Sequence, residues 1–244
     1  VSAPVFLAEA DRLAAGGSVL LDGPEGRHAA AVRRLRTGER VDLTDGAGLV
    51  AECVVTAADK ASLTLDVLSR REVPAPSPRL VVVQALPKGD RGELAVETMT
   101  EVGVDEIVPW SAARCVTQWK PERREKALGR WRSTAREAAK QARRAHFPAV
   151  ADLASTADVE KRVAAASAAL LLHEEAAEPL TALRPPADGE IVIVVGPEGG
   201  LTGEEVERLS AAGGRPTLLG PTVLRTSTAG VAAASVLLAA TGRW

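Results

Sequence analysis

Two glycine-bearing breaks in the last third of the chain hold the residues best suited to chemistry. The first lies within Ile191–Leu209, IVIVVGPEGGLTGEEVERL, where five consecutive aliphatic residues, Ile191 to Val195, predict a strand buried on both faces. Gly196-Pro197-Glu198-Gly199-Gly200 follows, and its three glycines free the main chain to turn sharply or to meet a ligand closely. Thr202 and Glu205 have the spacing of a capping box, so the next helix starts there. Strand, glycine loop and helix N-terminus is a layout with which α/β proteins hold nucleotide-like ligands through main-chain groups. An ordinary tight strand-to-helix turn is spelled the same way. The second break, Leu218–Gly230, reads LLGPTVLRTSTAG. It has a short apolar run, a Gly-Pro break, a lone Arg225 and a hydroxyl cluster in which Thr226, Ser227 or Thr228 could cap a following helix.

The elements that must position these breaks read as parallel α/β architecture. Leu80–Leu86, LVVVQAL, is a buried strand ending in Pro87-Lys88-Gly89-Asp90-Arg91. Asp90 is expected to cap a helix running to Gly103, with Leu94, Met99 and Val102 among its apolar positions, and Ile107–Trp110 is the next strand. Helix between strands in this order gives a parallel sheet. Ala165–Leu172 is a further apolar strand, ending in His173-Glu174-Glu175; His173 has no second ligand at metal spacing and reads as a neutral polar residue. Ala229–Ala240 is a helix apolar all round, too hydrophobic for a monomer surface.

Two stretches concentrate positive charge. Lys120–Arg144 reads as a long helix entered at Pro121, with Leu128 and Trp131 inward; its ten Lys or Arg stand against three Glu, an excess of seven in a protein of net charge −2. That excess fits a phosphate footprint, although some of these cations serve only to solvate a helix face. Near the N-terminus, Arg27, Arg33, Arg34, Arg36 and Arg40 face only Glu39, on and after a short helix expected over Glu25–Arg36. Around it Val19–Leu21, Arg40–Leu43, Leu49–Val55 and Ser62–Val67 are short strands, with a hairpin at Asp45-Gly46, which together predict a small β-barrel. Val73–Pro78, with alternating prolines, is a semi-rigid linker. The expected division is therefore a barrel over 1–72, a linker over 73–78 and an α/β domain over 79–244.

Composition narrows the classes. Of 244 residues, 46% are hydrophobic and 25% charged, enough to bury a core and ordinary for a soluble protein. Cys53 and Cys115 lie far apart without CxxC spacing, which fits a reducing cytoplasm and no metal. No signal peptide is evident, and the uncharged stretch between Arg225 and Arg243 falls short of the roughly 20 apolar residues of a membrane span. Two Phe, four Trp and no Tyr weigh against a non-catalytic RNA module that stacks bases on an aromatic sheet. A nucleotide-phosphate enzyme is disfavoured too, because neither a Walker lysine nor G-x-G-x-x-G is present.

GPEGG before a capped helix, followed about twenty residues on by LGPTVLRTSTA, resembles the RsmE family of SPOUT methyltransferases. The resemblance extends to HAAAVRRLRTGERVDLTDGAG (His28–Gly48), to KGDR and EVGV, and to Gln141 and Arg144 with Pro148 beyond. It implies a C-terminal α/β domain closed by a deep trefoil knot and an N-terminal PUA-like β-barrel used on RNA. The implied activity is methylation of uridine N3 in 16S ribosomal RNA of the small subunit, from S-adenosylmethionine, by a homodimer in the cytoplasm. The family's cofactor positions map onto Leu172, His173, Gly196, Pro197, Glu198, Gly199, Leu219, Gly220, Val223, Leu224 and Thr228. RNA contacts map onto Arg27, Arg33, Arg34, Lys88, Arg91, Gln141 and Arg144. Two departures stand out: Ser227 replaces a frequent glutamate and Thr222 a frequent arginine. A ribose 2′-O-methyltransferase of the same fold, and a non-catalytic RNA-binding assembly protein, are the competing readings.

Methyl transfer from a sulfonium is an in-line displacement, so positioning does most of the work and no metal is required. Uridine N3 holds a proton with a pKa of about 9–10, comparable to tyrosine. The site must favour the deprotonated imide, and a guanidinium beside it stabilises the charge. Arg225 is expected in that role, supported by Arg144. The general base stays open. Glu198 is the nearby acid, either taking part or fixing the loop through main-chain hydrogen bonds.

Overall fold

A computed structural model describes residues 3–244, which divide into two compact units, 3–75 with 139–147, and 76–138 with 148–244.

The first unit is built on a five-stranded sheet of order β1-β3-β4-β5-β2. Its strands are β1 (Val5–Leu7), β2 (Ser18–Leu21), β3 (Arg40–Thr44), β4 (Leu49–Ala58) and β5 (Leu63–Glu72). Alternation puts Val41, Leu43, Ala51, Cys53, Val55, Leu63 and Leu65 into one core with Phe6, Leu13 and Ala29. The hairpin between β3 and β4 forms at Asp45, whose Oδ1 accepts the N–H groups of Ala47 (2.7 Å) and Leu49 (3.0 Å). A short helix α1 (Ala10–Ala14) precedes β2. The expected helix over Glu25–Arg36 is shorter and earlier: α2 (Gly23–Arg27) runs on as a π turn, His28–Val32. Arg33 ends it, and Arg34 takes a left-handed conformation at φ 55°. Residues 139–147 are fixed in this unit by a Lys140 Nζ–Glu25 Oε1 pair (2.9 Å) and by the Phe147 N–H on the Gly46 carbonyl (2.8 Å).

The second unit holds a six-stranded, all-parallel sheet of order β11-β9-β10-β6-β7-β8. The strands are β6 (Arg79–Ala85), β7 (Glu106–Trp110), β8 (Ala149–Val150), β9 (Ala168–Leu172), β10 (Glu190–Val195) and β11 (Arg215–Thr217). The central pair, β6 and β10, has Leu80–Val83 and Ile191–Val195 all at 2% exposure or less, the burial that two uninterrupted aliphatic runs require. Four helices lie between these strands, α3 (Arg91–Val102), α4 (Pro121–Gln141), α5 (Thr156–Ala165) and α6 (Gly203–Ala211), and α7 (Thr226–Ala240) follows the last of them. Helix α7 packs on α3, β6 and β10, and Gly230 permits the approach, since a Cβ there would lie 2.8 Å from Met99 Sδ. At the N-terminal ends of three strands Arg162 grips Glu106 through both oxygens (2.7 Å each) and Glu190 (3.0 Å), with Arg79 completing the cluster. That end of the sheet is locked by charge.

Several local expectations are corrected. Of the apolar positions of α3, Met99 is fully buried and Val102 packs against the core, whereas Leu94 is 47% exposed. Asp90 precedes α3 without a side-chain capping bond, at φ −85° and ψ 3°, while Gly103 closes the helix in the left-handed conformation. Helix α4 ends at Gln141 rather than Arg144, with Arg143 at φ 56°. The stretch from Ala165 is split: Ala165 closes α5, whose Ser155–Asp158 capping box starts it, and the strand begins at Ala168. Helix α7 starts three residues before Ala229, at Thr226; none of the three hydroxyls caps it, for the N-cap is Arg225.

Candidate functional site

Sheet order decides which loops meet. Strands β11, β9, β10 and β6 are adjacent and parallel, so the segments leaving their C-terminal ends lie along one edge of the sheet. Those segments begin at Leu218, His173, Gly196 and Leu86. Ligands of open α/β sheets bind beyond such an edge, and the locked end of the sheet is the opposite one.

The Gly196–Gly200 loop is a tight turn in which the Gly200 N–H donates to the Pro197 carbonyl (2.9 Å), with Gly200 at φ 70°. Its path is fixed from three directions. Glu205 completes the capping box with Thr202 and, through Oε1, accepts the Ala113 N–H (2.8 Å), although it is 4% exposed. Arg114 Nη1 donates to the carbonyls of Gly199 (2.9 Å) and Leu201 (3.1 Å). A Cβ on Gly199 would lie 3.2 Å from Arg114 Cβ, so the glycine allows this side chain to lie close. Glu198 Oε1 accepts the Lys88 N–H (2.9 Å), tying the loop to the segment after β6. Of the two roles open to Glu198, loop fixing is the one with a bond to show.

The second loop is anchored at its start. Leu218 donates to the Glu178 carbonyl and accepts from the Leu180 N–H, both at 2.8 Å, and the His173 N–H reaches the Thr217 carbonyl (3.1 Å). It is anchored again at its end. The Arg225 carbonyl accepts the N–H groups of Thr228 and Ala229 (2.9 Å each) and the Thr228 hydroxyl (3.2 Å). Gln84, fully buried at the end of β6, donates through Nε2 to the Thr226 carbonyl (3.3 Å). Between these anchors residues 221–225 are exposed. Among the described residues the Arg225 guanidinium has no ion pair or hydrogen bond, and the N–H groups of Gly196, Leu219 and Leu224 donate to nothing. The edge thus offers main-chain donors, a free cation and the half-buried Leu172 and Leu219.

An RNA methyltransferase domain model matches residues 74–238, and an RNA methyltransferase PUA domain model matches 21–68. The ribosomal RNA small subunit methyltransferase E of Mycobacterium bovis is 47% identical over 233 residues, covering 94% of this chain and 89% of its own. The chain belongs to the RsmE family. The family's Bacillus subtilis member is 31% identical, over 89% of this chain and 88% of its own. A solved RsmE from Neisseria gonorrhoeae, bound to S-adenosyl methionine, superposes with a TM-score of 0.86 at 28% identity, over 98% of each chain. The fold of this RsmE chain is accordingly the SPOUT α/β type with a PUA domain.

Within the RsmE chain, Leu172, His173, Pro197, Glu198, Gly220, Val223 and Thr228 stand on the same edge as the residues just described, Lys88 lies on the segment after β6, and Arg91 is the first residue of α3. Arg27, Arg33 and Arg34 belong to the first unit, and so do Gln141 and Arg144. Ser227 is buried in the first turn of α7, whereas Thr222 is exposed. Arg114, Gln84 and the bond from Glu205 to Ala113 are additions that sequence reasoning did not supply. Only Glu205 carried a signal, its capping-box spacing. No group of His, Cys, Asp or Glu side chains suited to a metal forms among the described residues.

Proposed function

We propose that this protein transfers a methyl group from S-adenosylmethionine to N3 of a uridine in 16S ribosomal RNA of the small subunit. The observation that carries the reading is the pairing, on one sheet edge, of unengaged main-chain donors with the unpaired Arg225. The residues present fit the cofactor: N–H groups of Gly196, Leu219 and Leu224 would meet its polar edges, and Leu172 with Val223 would flank its ring. When bound, it supplies a sulfonium methyl as the electrophile. The chain supplies the rest. The clamped glycine loop holds its shape without reorganisation, and Arg225 stabilises the negative charge of the uridine imide as N3 loses its proton.

The RNA is engaged mostly through phosphates, by the cations Arg27, Arg33, Arg34, Lys88, Arg91 and Arg144, with the neutral amide of Gln141 beside them. Helix α7, apolar on nearly every side, favours a homodimer, and the insertion of β10 between β9 and β6 suits a knotted C-terminus. Among the described residues no helix is long and apolar enough to cross a membrane; work on ribosomal subunits places the protein in the cytoplasm.

Arg225→Ala is the direct test. Its side chain is exposed, so circular dichroism and calorimetric binding of S-adenosylmethionine should match the wild type. Methyl transfer to small subunits should fall by roughly 10²–10³-fold, the scale of removing one electrostatic donor. A wild-type rate in that variant would remove Arg225 from the chemistry.

A further inference from the structure

A second concavity of the α/β unit lies apart from the loops just described. It is a cavity of about 570 Å³ between the segment after β6, the start of α3, the segment before α4 and the first half of α4. Its volume falls within the roughly 300–1,000 Å³ of small-molecule sites. Pro87 and Gly89 line it, and the intervening Lys88 holds Glu198 of the glycine loop, so one short segment borders both places.

Its wall is aromatic. Trp119, half-buried, meets Trp131 edge to face with ring centroids 5.2 Å apart. Trp131 is 3% exposed, and among the described residues its indole N–H has no acceptor. Gly92 makes the space: a Cβ there would stand 2.8 Å from that indole nitrogen. Two of the chain's four tryptophans thus line one cavity in a protein otherwise poor in aromatics.

Its rim is basic. Arg123, Lys126 and Arg130 lie at i, i+3 and i+7 on one face of α4. Glu93 answers Arg130 at 3.4 Å, whereas Arg123 and Lys126 have no ion pair among the described residues. Aromatic rings for a base, with cations for its phosphate, are the combination that binds unstacked single-stranded nucleic acid.

We infer that this cavity binds an unstacked nucleotide of the RNA substrate, its base against Trp119 and its phosphate at Arg123 and Lys126. The inference rests on the RNA-methyltransferase reading and adds to it a second point of grip beside the reacting uridine. The cations of α4 then have a specific use, beyond a diffuse attraction that any basic helix provides.

Tryptophan fluorescence of the full chain, titrated with a single-stranded oligouridylate, reads the cavity directly. Binding should quench the emission. Trp119→Ala should remove the quenching, Trp119→Phe should keep the affinity, and Arg123→Ala with Lys126→Ala should weaken binding roughly tenfold. In methylation of small subunits Trp119→Ala and the Arg123/Lys126 double variant should raise KM about tenfold at unchanged kcat and unchanged affinity for S-adenosylmethionine, and Trp119→Phe should leave KM as it is. A fall in kcat at saturation would instead seat the reacting uridine itself here, also a nucleotide. Unaltered quenching and unaltered KM in the Arg123/Lys126 double variant, whose exposed positions leave the fold intact, would overturn the inference. A wild type that methylates no ribosomal RNA, yet shows quenching that Trp119→Ala removes, would refute the enzyme reading and leave the cavity's ligand standing.

Discussion

Glycine gives the Gly196–Gly200 loop its path, and Glu198, Arg114 and Glu205 remove the freedom that glycine leaves. The glycines and the Thr202–Glu205 spacing were legible because both signals are local. Arg114 was not: its carbonyl acceptors lie 85 and 87 positions away, and nothing around it in sequence announces them. Gln84 was hidden likewise, since a glutamine inside an aliphatic run says nothing of the helix whose first carbonyl it will meet. The cysteines behave as inert core residues. Burial pushes the Cys53 thiol up to about 11 and raises Cys115 as well. At pH 8, iodoacetamide should therefore label Cys53 far more slowly in the native protein than in urea. The sign for stability follows. The native thiol keeps its proton longer than an unfolded one of pKa 9.0, so this contribution is complete below pH 9 and is lost as pH rises through 11. Rapid native labelling of Cys53 at pH 8 would contradict the burial.

Helix α6 shows how an element's start can serve a loop. Its capping box satisfies main-chain donors of the first turn, and the other carboxylate oxygen of Glu205 reaches Ala113, on the segment that also carries Arg114. Glu205→Ala removes the box and leaves a part-buried N–H unpaired, a loss of about 1–2 kcal/mol. Urea unfolding should show that loss, and calorimetry should show weaker S-adenosylmethionine binding, while Glu205→Gln recovers part of both. Equal cofactor affinity in the alanine variant would mean that the loop holds its shape without the clamp. Long periodic elements were readable, β6 and β10 from their aliphatic runs and α4 from its charge and length. Short β1, β8 and β11 were not, because two or three residues become a strand only when a neighbour's edge is already in place. Leu94, apolar yet exposed on α3, shows that helical spacing alone does not say which side of a helix the core will occupy.

At the scale of the whole molecule, the proline-bearing stretch Val73–Pro78 is visible in sequence, whereas the grouping of residues 139–147 with the first unit is not. That grouping depends on Lys140 finding Glu25, 115 positions away, with the Lys140 ammonium 5.8 Å from the Phe6 ring centroid. The Lys140 side chain is only 6% exposed and that of Glu25 22%. Removing Glu25 takes a carboxylate from both the Lys140 ammonium and the Leu7 N–H (3.0 Å), while Lys140→Met removes the cation and keeps an apolar chain of similar length. Glu25→Ala should thus cost about 3 kcal/mol in urea unfolding and Lys140→Met clearly less. Equal losses in the two variants would show that the pair is not what secures residues 139–147.

Transfer of labelled methyl from S-adenosylmethionine to small ribosomal subunits lacking the modification, followed by nucleoside analysis, tests the proposed activity most directly. The predicted result is label in N3-methyluridine, present with the wild type and lost with Arg225→Ala. Label in a 2′-O-methylated nucleoside would keep the fold and contradict the proposed chemistry, and no label despite saturating cofactor would contradict the enzyme itself.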